Sequence, residues 1–242
     1  RAISDIYAMN GTPEQLLLAV GVSSRFDISA LDELYDGVYL ACRKYGVDLA
    51  GGDITTSLTG FTISVTATGT VKPEKLVRRS GAKPNELICV TGNLGAAYMG
   101  LQLLERERRL FMKDPGFKPS LSGYEYIIER QLKPELPVSI LNELNDKGII
   151  PTSMIDLSEG LASDLLQLCK YSGTGCRIFH DKIPIDSETL KFAEEIMLEP
   201  LIAALNGGED YEFLFTVPIE KYETIARVKG ISIIGHMTKK EQ

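Results

Sequence analysis

The segment LAGGDITT, residues 49–56, decides how the first part of the chain is interpreted. It follows a stretch with helical spacing and precedes one with strand alternation. Its paired glycines, Gly51 and Gly52, therefore fall where we expect the backbone to bend tightly and a ligand to approach closely. Asp53 beside two threonine hydroxyls supplies the hard oxygen ligands that Mg²⁺ prefers. We interpret the segment as a metal and phosphate corner, and a turn capped by the aspartate is the alternative.

Regular patterns on both sides of this segment predict a helix before it and a strand after it. Leu31, Leu34, Val38 and Cys42 recur at helical spacing. Between residues 61 and 71, apolar side chains alternate with hydroxyl side chains, which predicts a strand with one apolar and one threonine-rich face. A threonine-rich face suits either the border of a nucleotide cleft or pairing with a second copy. A homodimer with a joint site is therefore one prediction.

The ends of the chain and a polar linker indicate the domain organisation. Residues 3–9 read as the last turns of a helix without a visible N-cap, so we expect an N-terminal portion upstream of Arg1. The polar stretch from residue 72 to residue 84 predicts a boundary between a domain of residues 1–72 and a domain of residues 73–242. Strands and helices alternate without internal repeats, which predicts an α/β or α+β fold with mixed sheets.

Composition excludes several classes of protein and narrows the chemistry. The net charge of −7, from 33 acidic and 26 basic residues, argues against a nucleic-acid partner. No apolar run is long enough to span a membrane and no signal peptide is recognisable, so we expect a cytoplasmic protein. The four cysteines are scattered without a Cys-x-x-Cys pair, and the two histidines lie far apart. The chemistry is therefore expected to depend on carboxylates, with metal ions mediating any contact with phosphates.

Two further acidic segments are candidates for the same chemistry. In residues 154–161, Asp156 and Glu159 flank Ser158 where a strand ends and a helix begins. The two carboxylates can hold a cation, while the hydroxyl and free backbone N–H groups bind a phosphate oxygen. An ordinary acidic N-cap is the alternative. Residues 205–212 contain three acids in four positions before an apolar strand, and a solvated turn is the alternative there.

The order and spacing of these segments resemble the thiamine-monophosphate kinase family of the aminoimidazole-ribonucleotide-synthetase-like superfamily. The likeness covers essentially all 242 residues. Single motifs are weak evidence, whereas the ordered set is specific. The motifs are SDIYAMNG at 4–11, LYDG at 34–37, GGDIT at 51–55, RSGAKP at 79–84, VTGNLG at 90–95, IDLSEGL at 155–161 and GGEDYEFLF at 207–215.

The resemblance implies Mg²⁺-dependent, direct transfer of the γ-phosphoryl group of ATP to thiamine monophosphate, which gives thiamine diphosphate. It implies that residues 1–72 form an ATP-binding, mixed-sheet dimerisation domain that is incomplete at its start. Residues 73–242 would form the C-terminal α/β domain. In such a family the N-terminal domains pair across a dimer axis, and ATP lies in the cleft that they form with the C-terminal domain.

The matched motifs imply a role for each of several residues. No residue among them is expected to act as a nucleophile. Phosphoryl transfer needs positioning and neutralisation of charge more than covalent chemistry, and the chain has no Walker-type loop. By the resemblance, the magnesium ligands are Asp5, Asp53, Asp156 and Glu159. Tyr35, Gly52, Asp53, Arg79 and Ser158 contact ATP, and Glu209 contacts the thiamine part.

Three features depart from the family pattern. The family's early Gly-Asp-Asp segment and its substrate-contacting histidine are expected upstream of Arg1, and its late aromatic residue is expected beyond Met237. Ser158-Glu159-Gly160 stands where the family has Ser-Asp-Gly, so the reach of the carboxylate differs by one methylene. Two alternatives stay open. One is another ATP-using enzyme of the superfamily, acting on a purine intermediate or a hydrogenase-maturation substrate, and the other is an inactive dimeric nucleotide-binding remnant.

Overall fold

The computed structural model describes residues 1–114 and 116–240, which form two compact units. Residue 115, within the predicted loop 113–122, lies outside the described residues. The first unit comprises Arg1–Leu76 and the second begins at Val77. A short 3-10 turn, Pro73–Lys75, belongs to the first unit, where the Asn10 side chain donates a hydrogen bond to the carbonyl of Lys75 at 3.1 Å. The predicted boundary at residue 72 therefore falls just inside the first unit.

The first unit is a three-stranded mixed sheet with two helices. Its members in chain order are α1 (Ser4–Ala8), β1 (Thr12–Val22), α2 (Ile28–Tyr45), β2 (Asp48–Thr56) and β3 (Phe61–Thr70). The strand order is β2-β1-β3, with β2 parallel and β3 antiparallel to β1. The Asp27 carboxylate caps α2 by accepting the N–H of Ala30 at 3.2 Å. The predicted helix is therefore present as α2. The sheet is mixed, as predicted, because it contains one parallel and one antiparallel pair of strands.

The predicted tight bend at residues 49–56 is wrong, because this segment is strand β2. Leu16 pairs with Leu49 and Leu17 with Gly51, so Ala50 is an extra residue that forms a β-bulge. Gly52 lies opposite Leu18, and a Cβ atom on Gly52 would stand 1.9 Å from the Leu18 carbonyl oxygen. The glycine is therefore required by the close approach of two backbones, rather than by a turn.

Strand register decides which face of this sheet carries Asp53. Asp53 pairs with Ala19, and Ala19 pairs with Ser64 on the other side. Since directly opposite residues project to the same face, Asp53 shares its face with the hydroxyl side chains of β3, among them Thr62 and Thr66. The predicted separation of β3 into an apolar and a hydroxyl face holds in the structure.

The second unit is a five-stranded sheet with helices packed on it. The helices are α3 (Ala96–Lys113), α4 (Glu125–Leu132), α5 (Val138–Asp146), α6 (Leu161–Ser172), α7 (Ser187–Glu195), α8 (Pro200–Asn206) and α9 (Tyr222–Ile225). The strands are β4 (Leu87–Thr91), β5 (Ser153–Asp156), β6 (Thr174–Ile178), β7 (Phe213–Val217) and β8 (Ile231–Lys239). Their order is β5-β7-β4-β8-β6, and each pairing is antiparallel. Mixed pairing therefore occurs in the first unit alone, within the part of the chain that the structure describes.

Apolar clusters fix the helices against this sheet and against one another. One cluster joins α6 to the buried strands through residues such as Leu165 and Leu214, and the other packs α3 and α4 against α7 through Leu103, Ile127 and Phe192. All four cysteines are free thiols. Within residues 1–114 and 116–240, no helix has the length and apolar character that a membrane crossing needs.

Candidate functional site

The acidic segment at residues 156–161 has the predicted strand–loop–helix geometry. β5 ends at Asp156, whose side chain is 3% exposed, and α6 begins at Leu161. Between them Ser158 is half-buried and Glu159 is exposed. The loop therefore combines one buried carboxylate, one hydroxyl and one accessible carboxylate within four residues.

Two backbone N–H groups of this loop already have an acceptor, which corrects part of one expectation. Ser158 and Glu159 donate their N–H groups to Oδ2 of Asp164, at 3.1 and 3.0 Å. Asp164 is buried one turn inside α6, and its burial raises its pKa to about 6. The negative charges of Asp156 and Glu159 raise the pKa further, and the two N–H donors oppose the rise. The N–H groups of Ser158 and Glu159 are therefore taken by the helix's own acceptor and do not face a phosphate.

The structure brings the third acidic segment beside the second. Leu157 donates its N–H to the carbonyl of Glu212 at 2.7 Å and accepts the N–H of Tyr211 at 2.9 Å. Glu209 donates its N–H to the carbonyl of Ser158 at 3.0 Å. The backbone of Glu209 is thus hydrogen-bonded to that of Ser158. The Glu209 side chain, which we predicted to contact thiamine, is exposed. The roles of these residues stay predictions, whereas their proximity is observed.

A buried polar network joins Asp210 and Glu212 to Arg130 and Thr91. The patterns in the sequence did not predict it. Nη2 of Arg130 donates to the carbonyl of Asp210 at 2.6 Å and to Oε1 of Glu212 at 3.0 Å. The Thr91 hydroxyl donates to Oε2 of Glu212 at 2.5 Å and accepts the N–H of Phe213 at 2.9 Å. Asp210 and Glu212 belong to the cluster of three acids, and Thr91 belongs to the VTGNLG motif. No pattern in the sequence distinguished Arg130 from the other charged residues of α4.

Asp210 links this network to the start of α3. Its carboxylate accepts the N–H of Gly95 at 2.7 Å and that of Ala97 at 3.4 Å. Burial raises the pKa of Asp210 to about 6, although Arg130 and the two N–H groups oppose the rise. Burial likewise raises the pKa of Glu212, and Arg130 is the main opposing charge. These carboxylates are held inside the second unit rather than presented to a ligand.

In the first unit, Asp53 borders a shallow cavity on the hydroxyl face. The cavity measures about 310 Å³ and is lined by Ala19, Val20, Gly21, Asp53, Thr55, Thr56, Ser57, Thr62 and Ser64. Asp53 is exposed, and its carboxylate accepts the N–H of Ile54 at 3.0 Å. One carboxylate among several hydroxyls suits a hydrated cation or a phosphate oxygen.

The remaining predicted site residues lie on α1, on α2 and in the segment after Leu76. Asp5 is exposed in the first turn of α1, and Tyr35 is half-buried on α2 with its ring centroid 6.3 Å from that of Tyr39. Arg79 is exposed, and the backbone around it is anchored, because Met154 donates its N–H to the carbonyl of Arg78 at 3.0 Å. This segment is therefore ordered along β5, although we predicted it as a linker.

The acidic side chains do not form a ready metal cage. Within residues 1–114 and 116–240, no three His, Cys, Asp or Glu side chains come together closely enough to hold a metal ion. Mg²⁺ is commonly held by one or two carboxylates together with substrate phosphates and water, so Asp156 and Glu159 fit that use. Their charges also raise the pKa of Asp164, and a cation at this loop would offset that repulsion.

Comparison with known proteins places the chain. The family model "AIR synthase related protein, N-terminal domain" matches residues 1–71. A thiamine-monophosphate kinase of Aquifex aeolicus is 31% identical over 220 residues, which cover 91% of this chain and 67% of that protein. One from Methanospirillum hungatei is 34% identical over 223 residues, covering 92% and 67% respectively.

A solved structure gives the same result. The structure of AaThiL complexed with AMPPCP and TMP superposes with a TM-score of 0.84 at 29% identity, and covers 99% of this chain and 72% of that one. The chain spans about two thirds of the length of the curated relatives. Likeness of this degree over nearly all of the chain shows that it belongs to the thiamine-monophosphate kinase family.

Proposed function

We propose that the protein containing this chain transfers the γ-phosphoryl group of ATP to thiamine monophosphate and so produces thiamine diphosphate, with Mg²⁺ as the metal. The observation that supports this most is the pairing of the acidic segments at residues 156–161 and 207–212, in a chain whose relatives are named as this kinase. A related solved structure carries AMPPCP, which is an analogue of ATP, together with TMP. ATP and thiamine monophosphate are therefore the substrates that we propose.

The side chains of the paired segments suit distinct tasks in that reaction. Asp156 and Glu159 would hold magnesium in the second unit, and Asp5 and Asp53 would do so in the first. When bound, Mg²⁺ supplies neutralisation of the phosphate charge, which a loose phosphoryl-transfer transition state requires.

Substrate positioning falls to the other predicted residues. The Ser158 hydroxyl can donate to a phosphate oxygen, and the Arg79 guanidinium can bind two such oxygens at once. Tyr35 and Gly52 are the remaining proposed contacts to ATP. The accessible Glu209 carboxylate suits the amino group or the cationic ring of thiamine. No covalent intermediate on the protein is required, because the acceptor phosphate itself attacks the γ-phosphorus.

The decisive variant is Asp156→Asn in the full-length protein. We expect kcat to fall by on the order of 100-fold, because a carboxylate that would hold the charge-neutralising Mg²⁺ ion is lost. Asp146→Asn, an exposed change at the end of α5, is the matched control and should keep the activity. The measurement is formation of thiamine diphosphate and ADP at several Mg²⁺ concentrations.

Two results would contradict this proposal: full activity of Asp156→Asn, or turnover without a divalent cation. The alternative substrates are tested with the same protein. Thermal stabilisation by purine ribonucleotides other than ATP, and not by thiamine phosphates, would favour another enzyme of the superfamily. ATP binding without turnover of any of these substrates would favour the inactive remnant.

We also propose that the protein is a homodimer, and that it uses the apolar face of the first sheet instead of the threonine-rich face considered from the sequence. Ile54 and Ile63 both lie beside Val20 on this face, and Val65 lies beside Leu18. The side chains of Ile54, Ile63 and Val65 are 53%, 47% and 43% exposed. Adjacent exposed aliphatic side chains on two edge strands mark an interaction surface, and a second copy offers a surface of the same character.

A further inference from the structure

The segment that carries Glu209 has an unfavourable backbone conformation. Gly208, Glu209 and Tyr211 have φ angles of 69°, 60° and 52°. Glutamate and tyrosine rarely occupy this left-handed region, because the Cβ atom crowds the neighbouring carbonyl. Such conformations persist where the surrounding structure fixes them, and they concentrate at binding sites. The contacts that fix this segment are therefore expected to matter for the side chain that it presents.

Contacts on two opposite sides hold the segment in place. On one side, Glu209 and Tyr211 donate their N–H groups to the carbonyls of Ser158 and Leu157. On the other side, the Asp210 carboxylate accepts two N–H groups from the start of α3. The segment is thus bonded through its backbone to residues 157–158 and through the Asp210 side chain to the start of α3.

Arg130 completes the second side from a separate helix. One nitrogen, Nη2, bonds to both the Asp210 carbonyl and the Glu212 carboxylate, and the side chain is only 12% exposed. Nε of Arg130 is buried and has no hydrogen-bond partner within the described residues. Burying a guanidinium with one donor unsatisfied is unfavourable. The two hydrogen bonds of Nη2 offset this cost, and they hold the Arg130 side chain in its buried position.

Tyr211 transmits this anchoring to the Glu209 side chain. Its phenol donates to Oε2 of Glu209 at 2.5 Å, while the rest of the side chain is buried. Tyr211 lies between Asp210 and Glu212, the two residues that Arg130 binds. A displacement of this backbone would therefore move both the Glu209 main chain and the donor that orients its carboxylate.

We propose that Arg130 is a positioning residue, which fixes residues 208–212 so that the Glu209 carboxylate is held ready for the cationic thiamine substrate. The proposal rests on the proposed function, since it takes Glu209 as a substrate contact. In this proposal Arg130 contacts neither substrate. It acts through the Asp210 carbonyl, the Glu212 carboxylate and the buried Tyr211.

The test is a double-mutant cycle between Arg130→Lys and Glu209→Gln in the full-length kinase. A lysine keeps the charge but cannot hold both acceptors with the planar geometry of arginine. We expect Arg130→Lys to raise the KM for thiamine monophosphate about tenfold, with the KM for ATP unchanged. In the Glu209→Gln background the same change should add no further rise, because the group that Arg130 positions is already altered.

Controls separate positioning from general stability. Arg106→Lys alters another partly buried arginine, paired with the buried Glu107 at 3.0 Å, and should leave both KM values unchanged. Amide hydrogen exchange at Glu209 and Tyr211 should accelerate in Arg130→Lys and stay slow in Arg106→Lys. If Arg130→Lys does not fold, Glu212→Gln weakens the same contact and should give a smaller rise in the KM, again absent in the Glu209→Gln background.

Each other outcome overturns the proposal in a recognisable way. An unchanged KM in Arg130→Lys, or effects that add fully in the double variant, would show that Arg130 does not act through Glu209. If Glu209→Gln leaves the KM for thiamine monophosphate unchanged, Glu209 is not a substrate contact, and the positioning role falls with it. A protein that does not phosphorylate thiamine monophosphate at all would refute the proposed function.

Discussion

Asp164 shows how a single buried carboxylate couples the site loop to pH. Its carboxylate accepts two loop N–H groups, while burial raises its pKa to about 6. Between the ordinary aspartate value near 4 and this raised pKa, the folded protein retains a proton that the unfolded chain has released. The free energy of unfolding therefore falls as pH rises through this range. Asp210, with a pKa of about 6, contributes in the same direction.

Replacement of Asp164 by asparagine should remove its share of this pH dependence. The amide oxygen can still accept the N–H groups of Ser158 and Glu159, and no charge develops as pH rises. We expect the thermal midpoint of Asp164→Asn to decline less steeply than that of the wild type between pH 4.5 and 6.5. Differential scanning calorimetry measures this, with the exposed Asp146→Asn as the control. An unchanged slope would mean that Asp164 titrates near its ordinary value.

The pairing of β2 with β1 requires a glycine at position 52 but not at position 51. A Cβ atom at Gly52 would collide with the Leu18 carbonyl, whereas one at Gly51 would meet no atom closer than 3.8 Å. We expect Gly52→Ala to destabilise the first unit by roughly 2 kcal/mol or more, since the two backbones must separate. Gly51→Ala should be tolerated. Hydrogen exchange of the β1 and β2 amides distinguishes the two, and equal protection in both variants would contradict the close approach.

Helices and strands with regular patterns could be predicted from the sequence. The alternation in β3 and the apolar repeat of α2 set their positions to within a few residues. The glycine pair at 51–52 misled the prediction, because its partner strand is about thirty residues earlier in the chain and local spacing does not reveal it. Helix α8, Pro200–Asn206, was missed because seven mostly apolar residues carry no helical periodicity.

Site prediction met a similar limit. The acidic segments were identified from their composition, and the structure places residues 156–161 beside residues 207–212. Arg130 and Asp164 could not be identified, because each lies in an amphipathic helix where a charge usually faces solvent. Arg130 is held by residues 210 and 212, about eighty positions further along the chain, and Asp164 by the loop just before its own helix. Composition thus marked the acidic segments as candidates, whereas the contacts that support them required the fold.

Assembly of two copies can be tested through the apolar face of the first sheet. Ile63→Asp places a charge among the exposed aliphatic side chains of that face, so we expect a dimer to dissociate into monomers. Leu166→Asp, at an exposed leucine of α6, is the control and should not alter the mass in solution. Sedimentation velocity provides the measurement, with circular dichroism to verify folding. A wild-type monomer, or an Ile63→Asp dimer, would contradict the proposed interface.

Helix α6 contacts two segments that carry proposed site residues, one near each of its ends. Asp164 binds the loop that contains Ser158, and the Ser172 hydroxyl accepts the N–H of Ala82 at 3.1 Å, close to Arg79. The eight-residue separation corresponds to about 12 Å along the axis, and each inserted or deleted residue would turn one end by about 100° relative to the other. Over evolution this helix is therefore free to exchange outward side chains but not to change its length between these positions.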